Sequence, residues 1–287
     1  MWILISLISA FGWATSDAFV KAAYKRCKLN EYFVIWVRYF FSLPFILIPF
    51  MKIKIPELDT EFFLWHIVWI PLETLALYLY VKAISLSEIS ISLPFLSFTP
   101  LFLIFSSYLI IGEQVSPGAA VGILLIVTGS YTMGIRNLKR GFFEPIKNVM
   151  RNKGVRLIVL VAFLYSITSI AGKMLVLHSN PVFFSFYYTL VMNLVLIIPG
   201  IRGARTSDWQ RCWKLLLFSG LFYAIMTLAH MTAIKMTLVS YMIAIKRLSG
   251  IISVFYGWLF FREKEIPERL MGSILMVIGA ILITLSS

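Results

Sequence analysis

An all-α integral membrane protein of ten transmembrane helices, built as two inverted five-helix repeats, is the fold that three features of the 287-residue sequence predict. Hydrophobic residues make up 60% of the chain and charged residues 14%, far from the mix of a soluble domain. Ten runs are apolar over the roughly 20 residues a helix needs to cross hydrocarbon. The sequence also matches itself at an offset of 150 residues, the mark of an internal repeat.

The runs fall at 2–23, 31–51, 62–84, 89–111 and 117–135, then at 155–177, 181–201, 214–235, 238–261 and 268–286. They define a first repeat over 1–135, a basic linker over 136–154 and a second repeat over 155–287. The first run begins MWILISLISAFGWA with nothing basic before it, while Lys25, Arg26 and Lys28 follow it. It lacks the charged leader of a cleavable signal and reads as a retained helix. The fourth run, ISISLPFLSFTPLFLIFSSY, carries Pro94, Pro100 and hydroxyls at Ser90, Ser92, Ser97 and Thr99. Its prolines release backbone carbonyls at membrane depth, as in the interrupted helices of transporters. Glu113 and Glu263 close the fourth and ninth runs, and Pro117 and Pro267 open the next ones, where a missing N–H costs nothing. These four residues read as a structural joint, with Ser116 as an N-cap. Gly118, Gly122 and Gly129 line one face of the fifth run, and Gly272 and Gly279 echo them on the tenth. Small residues at that spacing let helices approach closely. The expected contact lies within one chain, which makes the protein a monomer or a weak homodimer. The ninth run sets Lys246 and Arg247 side by side near its middle, with Gly250 just after them.

At the 150-residue offset Glu113 falls on Glu263, Pro117 on Pro267, Gly122 on Gly272, Gly129 on Gly279, Asn30 on Asn180 and Pro49 on Pro199. With a two-residue slip, Lys21 falls on Lys173. Five spans is an odd number, so the second copy enters the membrane from the opposite face, the plan of secondary transporters with a midplane site at the repeat interface. The net charge of +13 belongs to topology, since no soluble basic groove interleaved with aromatics is present to bind nucleic acid. Eighteen Lys and Arg residues lie on the side of the linker against four on the other, which places the linker in the cytoplasm of a cell membrane with both termini outside. Cys27 and Cys212 fall on that basic side and are expected as reduced thiols. His66, His178 and His230 have no metal-ligand spacing, and no nucleophile, metal or cofactor constellation suggests an enzyme.

The two copies, each closing with Gly-Glu or Arg-Glu, a Pro and a Gly-rich helix, resemble the EamA-type branch of the drug/metabolite transporter superfamily. FGWATSDAFVKAAY in the first run is similar to that family's Trp-Gly start followed by Lys, and RYFFSLPF to its second-helix Arg followed by aromatics. The resemblance implies an exporter or exchanger of small metabolites that rocks its two halves. Members of the family are usually drawn with both termini cytoplasmic, opposite to what the charge count gives here.

The intramembrane charges that do not repeat are the functional pointer. Asp17 falls on Ser169, Arg38 on Tyr188, Glu73 on Tyr223, and Lys246 and Arg247 on Leu96 and Ser97. Residues needed only for packing would recur in both halves, so the asymmetry suggests a single substrate site. Depth along the helices pairs Glu73 with Lys246 or Arg247 near the midplane, and Asp17 with Arg38 nearer the basic face. Adjacent on a helix, Lys246 and Arg247 point about 100° apart, so one pairs while the other meets the cavity. The candidate lining is Asp17, Arg38, Glu73, Lys246 and Arg247, with Pro94, Ser97, Tyr241 and Gly250 and a less favoured Trp13. Three cations against two acids favour a small anionic, carboxylate- or phosphate-bearing metabolite, and Glu73 or Asp17 could carry a coupling proton. A buried structural network, a flippase for an anionic lipid carrier and a non-transporting assembly partner are the competing readings.

Overall fold

A computed structural model describes residues 1–86, 93–133, 152–261 and 266–286. Glu263, linker residues 136–151, Ser90, Ser92 and the side chains of Pro94 and Pro267 lie outside the described residues. All regular structure among those described is helical. In chain order the helices are α1 (Trp2–Arg26), α2 (Glu31–Phe50), α3 (Thr60–Leu86), α4 (Thr99–Ile111), α5 (Pro117–Met133) and α6 (Lys153–Leu177). There follow α7 (Pro181–Val195), α8 (Ile197–Ala204), α9 (Trp213–Met236), α10 (Val239–Lys246), α11 (Ser249–Phe261) and α12 (Ile266–Ser286). Short 3₁₀ turns cover Leu93–Phe98 and Trp209–Arg211.

Six helical segments are long and apolar enough to span a bilayer, one of them the stretch Val239–Phe261 made of α10 and α11. A seventh is the pair α7 and α8, bent by 60°. Shorter apolar helices cover Phe95–Ile111, Pro117–Thr132 and Met271–Ser286. The sequence predicts one straight run over 181–201, and the bend has a local cause. Pro199 has no N–H to give to the carbonyl of Val195, so the helix breaks at that point. Large apolar side chains point outward, among them Leu109 (79% exposed), Ile67 (67%), Phe105 (65%) and Phe260 (65%). A soluble protein rarely leaves so much contiguous apolar surface bare, whereas a bilayer covers it.

The chain folds into two compact units, Met1–Trp65 with Lys173–Met236, and His66–Gly172 with Thr237–Ser287. Each unit draws segments from both sequence repeats. In the first, α1 lies along α9, and α2 packs on α7, α8 and α9. Gly12 permits the α1–α9 approach, since a Cβ there would sit 2.9 Å from the carbonyl oxygen of Phe222. Ser16 donates to the carbonyl of Ser219 (2.9 Å) and Ser9 to that of Met226 (3.3 Å) along the same seam. The side chain of Asn30 accepts from the backbone N–H groups of Tyr32 and Phe33 at the start of α2, and that of Asn180 accepts from Phe183 at the start of α7. Residues 150 apart thus do one job, each N-cap stabilising its helix by about 1 kcal/mol.

Cys27 and Cys212 form a disulfide, their Cα atoms 6.5 Å apart, which overturns the expectation of two reduced thiols. The end of α1 and the start of α9 meet in an apolar cluster with Phe33, Val34, Val37 and Leu216, and this brings together sulfurs 185 residues apart in sequence. Outside the spans, Asp59 accepts from the backbone N–H of Phe62 (2.9 Å) and lies 2.7 Å from Nδ1 of His178. The Phe62 N–H first, and the His178 ring second, hold the Asp59 carboxyl below its usual range.

In the second unit α5 crosses α12 on the glycines. A Cβ on Gly122 would fall 2.5 Å from the carbonyl oxygen of Gly279, and one on Gly129 would strike the carbonyl of Gly272. The close contact is therefore within the chain, as the spacing predicts. Phe95, Leu96 and Tyr131 pack with Val155, Ile158 and Ala162 of α6 into a buried cluster beside it. Helix α10 packs on α4 and α5.

Candidate functional site

The predicted ionic residues fall into two groups, one within each compact unit. In the first unit α1 carries Asp17 and α2 carries Arg38, whose Nη2 donates to Asp17 Oδ1 at 2.7 Å. The pair expected from depth along the helices is thus formed. The Arg38 guanidinium also lies over the ring of Tyr223, 5.5 Å from its centroid. Tyr223 packs edge-on against Tyr39, and the hydroxyls of Tyr39 and Tyr188 are 3.1 Å apart. Trp13 is tilted against Tyr223 at 6.2 Å. Asp17 keeps 44% of its side chain exposed while Arg38 keeps 16%, so the acid is the open end of the pair. Its face of α1 also bears Trp13 and Lys21, one helical turn to either side, and the exposed apolar residues Leu4 and Phe11 lie round the helix from it.

In the second unit the span that carries the two adjacent cations is broken at them. Helix α10 ends at Lys246, α11 begins at Ser249, and Leu248 N–H donates to the Ile245 carbonyl (3.0 Å) in a tightened turn. Gly250 N–H closes the next such bond to the carbonyl of Arg247 (3.0 Å). The break recurs in the other repeat, where the 3₁₀ turn ending at Phe98 precedes α4, so Thr99 and Ser249 open helices 150 residues apart. The two breaks touch. Arg247 Nη2 donates to Thr99 Oγ1 at 3.0 Å, and Thr99 Oγ1 donates to the Leu96 carbonyl at 2.7 Å. Tyr80 and Tyr165 pack against the neighbouring cluster of Phe95 and Leu96. The buried Nε of Arg247 has no hydrogen-bond acceptor among the described residues. Arg247 therefore meets a hydroxyl, and the sequence leaves open which of Lys246 and Arg247 pairs with Glu73. Glu73 is buried on α3 with 9% of its surface exposed. Ser97 is buried and bonded to the Ser130 hydroxyl.

Tyr241 sits at the joint. Only 4% exposed, its hydroxyl accepts from the Ser116 N–H (3.1 Å) and donates to Ser116 Oγ (3.4 Å). Ser116 Oγ also accepts from Ala119 N–H (3.3 Å), the predicted N-cap ahead of Pro117, and donates to the Ser286 carbonyl (2.9 Å). Glu113 Oε2 accepts from the backbone N–H of Val239 (3.0 Å), so this carboxylate of the first repeat caps a helix of the second. Tyr39, Tyr80 and Tyr165 escaped the sequence reading, while Tyr188 and Tyr223 appeared in it only as the counterparts of Arg38 and Glu73. That correspondence was itself a usable signal. At the 150-residue offset Tyr188 falls on Arg38 and Thr189 on Tyr39, so the hydroxyl contact between Tyr39 and Tyr188 joins positions one residue away from being repeat mates. Among the described residues no group of three His, Cys, Asp or Glu could hold a metal ion.

Apolar helices bent or broken at ionic and hydroxyl side chains define an α-helical multi-pass membrane protein of the transporter class. The model of the EamA-like transporter family matches residues 1–135 and again 152–285. The chain belongs to the EamA-like transporter family, in the drug/metabolite transporter superfamily. A solved crystal structure of a protein 13% identical superposes with a TM-score of 0.75 over 99% of this chain and 96% of that one, a likeness of fold. No curated protein matches.

Proposed function

We propose that the protein is a secondary transporter, an exporter or exchanger, that moves a small carboxylate-bearing metabolite by alternating access, with Arg247 as its anion ligand. One observation carries the reading: a half-buried arginine at a helix break, with one N–H on Thr99 and a buried Nε that has no acceptor among the described residues. A guanidinium offers parallel N–H donors in a fixed fork that matches the two oxygens of a carboxylate. Broken helices at the midplane are where transporters bind substrate. The ten apolar segments, seven long or bent and three shorter, support ten crossings. A metabolite library screened by thermal shift on purified protein tests the assignment. A carboxylate that stabilises the native chain and leaves Arg247→Ala unmoved supports it, and equal shifts in both refute it.

Glu73 is our candidate for the coupling proton, because Asp17 is committed to Arg38. Glu73→Gln should leave ligand binding intact while uptake into proteoliposomes loses its dependence on an imposed pH gradient; a mutant still driven by the gradient removes Glu73 from that role. For orientation in the cell membrane we hold to the charge bias, with the linker 136–154 cytoplasmic and the termini outside. The disulfide lies on the same basic side and favours an oxidising compartment, so a direct test is needed. Alkaline phosphatase fused after Ser287 should be active and a fluorescent protein at that place dark. The opposite pattern inverts the topology.

A further inference from the structure

Helices α4 and α10 are joined at both ends. Thr99, at the start of α4, receives Arg247 from the end of α10. Beyond the other end of α4, Gly112 adopts the left-handed conformation (φ 71°) and turns the chain so that Glu113 Oε2 meets the Val239 N–H at the start of α10. Gly112 is the positive-φ glycine that this turn requires, because a side chain there would be strained.

The eight residues of α10 suit it to transmit position. Val239 through Ile245 are all buried, so the helix is gripped on every side rather than lying on a surface. Its N-cap residue, Leu238, provides no side-chain acceptor, leaving the first-turn N–H groups to outside partners. Glu113 supplies one, and the Tyr241 hydroxyl adds a second link through Ser116. The acid stands at the positive end of the helix dipole and Lys246 at the negative end, so both termini are electrostatically matched.

We propose that Glu113 is a positioning residue for Arg247: by holding the first turn of α10 it fixes where the helix breaks and keeps the guanidinium seated on Thr99. The transport role given to Arg247 is the reading this rests on, but the mechanical link is testable without any substrate. Phenylglyoxal, which modifies free guanidinium groups, is applied to the purified full chain, and the rates at Arg247 and Arg38 are followed by peptide mass mapping. Arg38, in the first compact unit, is the internal reference.

In Glu113→Ala the rate at Arg247 should rise about fivefold, the change expected for losing one hydrogen bond, with the Arg38 rate unchanged. Glu113→Gln, which keeps an acceptor oxygen and drops the charge, should fall between alanine and the native chain. Thr99→Val, which unseats the guanidinium directly, sets the upper bound. An unchanged rate at Arg247 overturns the proposal. So does a parallel rise at Arg38 and Arg247, which would make Glu113 a general packing residue. If Glu113→Ala does not assemble, Glu113→Gln decides on the same criterion with a rise of about twofold. A latch confirmed in this way, together with transport indifferent to Arg247→Ala, would remove the transport reading and leave the positioning role standing.

Discussion

An Arg247→Ala variant is expected to reach the membrane, to be at least as heat-resistant as the native chain, and to transport almost nothing. The two halves of that result come from one feature. A half-buried guanidinium with a hydroxyl for a partner, and a buried Nε without an acceptor among the described residues, has given up hydration that its hydrogen bond does not restore. Truncation removes that penalty, so the apparent melting temperature should hold or rise. A bound carboxylate, however, would lose the charged group that faces it, and cutting one partner of such a pair costs about 2–5 kcal/mol. Ligand uptake should therefore fall between about 30-fold and a few thousand-fold. Arg247→Lys keeps the charge and loses the planar fork, and should recover only part of the loss. The measurement is initial uptake into proteoliposomes beside thermal unfolding of the same preparations. Native uptake in the alanine variant, or a melting temperature that collapses with uptake, would make Arg247 a structural residue.

The fold could be read far from the sequence because a repeat carries relational information. Gly122 and Gly129 correspond to Gly272 and Gly279, yet the contacts run crosswise, Gly122 to Gly279 and Gly129 to Gly272. Crosswise pairing is what a two-fold axis imposes on self-complementary surfaces, as at an isologous dimer interface. The offset of 150 residues contained that correspondence, and Asn30 with Asn180 shows the same offset at the caps, each accepting from the first turn of its own helix. The Asp17–Arg38 pair was legible for a simpler reason. Two opposite charges at equal depth on neighbouring helices leave few alternatives in a medium that penalises isolated charge.

What the sequence hid depends on side-chain reach and on contacts between distant segments. Charge matching paired Glu73 with either Lys246 or Arg247, and the hydrogen bond of Arg247 goes to Thr99, a hydroxyl already noted in the fourth run but ranked below the acids. A neutral acceptor is invisible to charge matching. Tyr241, a candidate cavity wall in the sequence, places its hydroxyl on the joint, a contact that residue type alone does not reveal. Glu113 was read as local architecture of its own loop, and its partner is the Val239 N–H, 126 residues away. The compact units also cut across the sequence repeats, since α1, α2, α7 and α9 of both halves share one unit.

The second large effect concerns that crosswise seam. Gly122→Leu should prevent accumulation of folded protein, and Gly279→Leu should do the same. At Gly122 the first atom of any side chain meets the carbonyl oxygen of Gly279 at 2.5 Å and the Ile283 side chain at 2.8 Å. Backbone cannot step aside as a flexible side chain can, so α5 and α12 would have to separate along their length. Overpacking of a well-filled site costs about 1–3 kcal/mol, and here parting the helices also loses the contacts around Gly129 and Met276. Gly118 provides the internal contrast. A Cβ there meets the hydroxyl end of the Ser286 side chain, which can rotate, so Gly118→Ala should stay within about 1 kcal/mol of native. Size-exclusion profiles of detergent-extracted protein read the difference. A symmetrical native-like peak for Gly118→Ala, with aggregate or no peak for Gly122→Leu, is expected because one glycine faces a movable side chain and the other a fixed carbonyl. Native profiles for Gly122→Leu and Gly279→Leu would mean that α5 and α12 do not cross on these residues, and the two-fold relation between the repeats would lose its principal structural support.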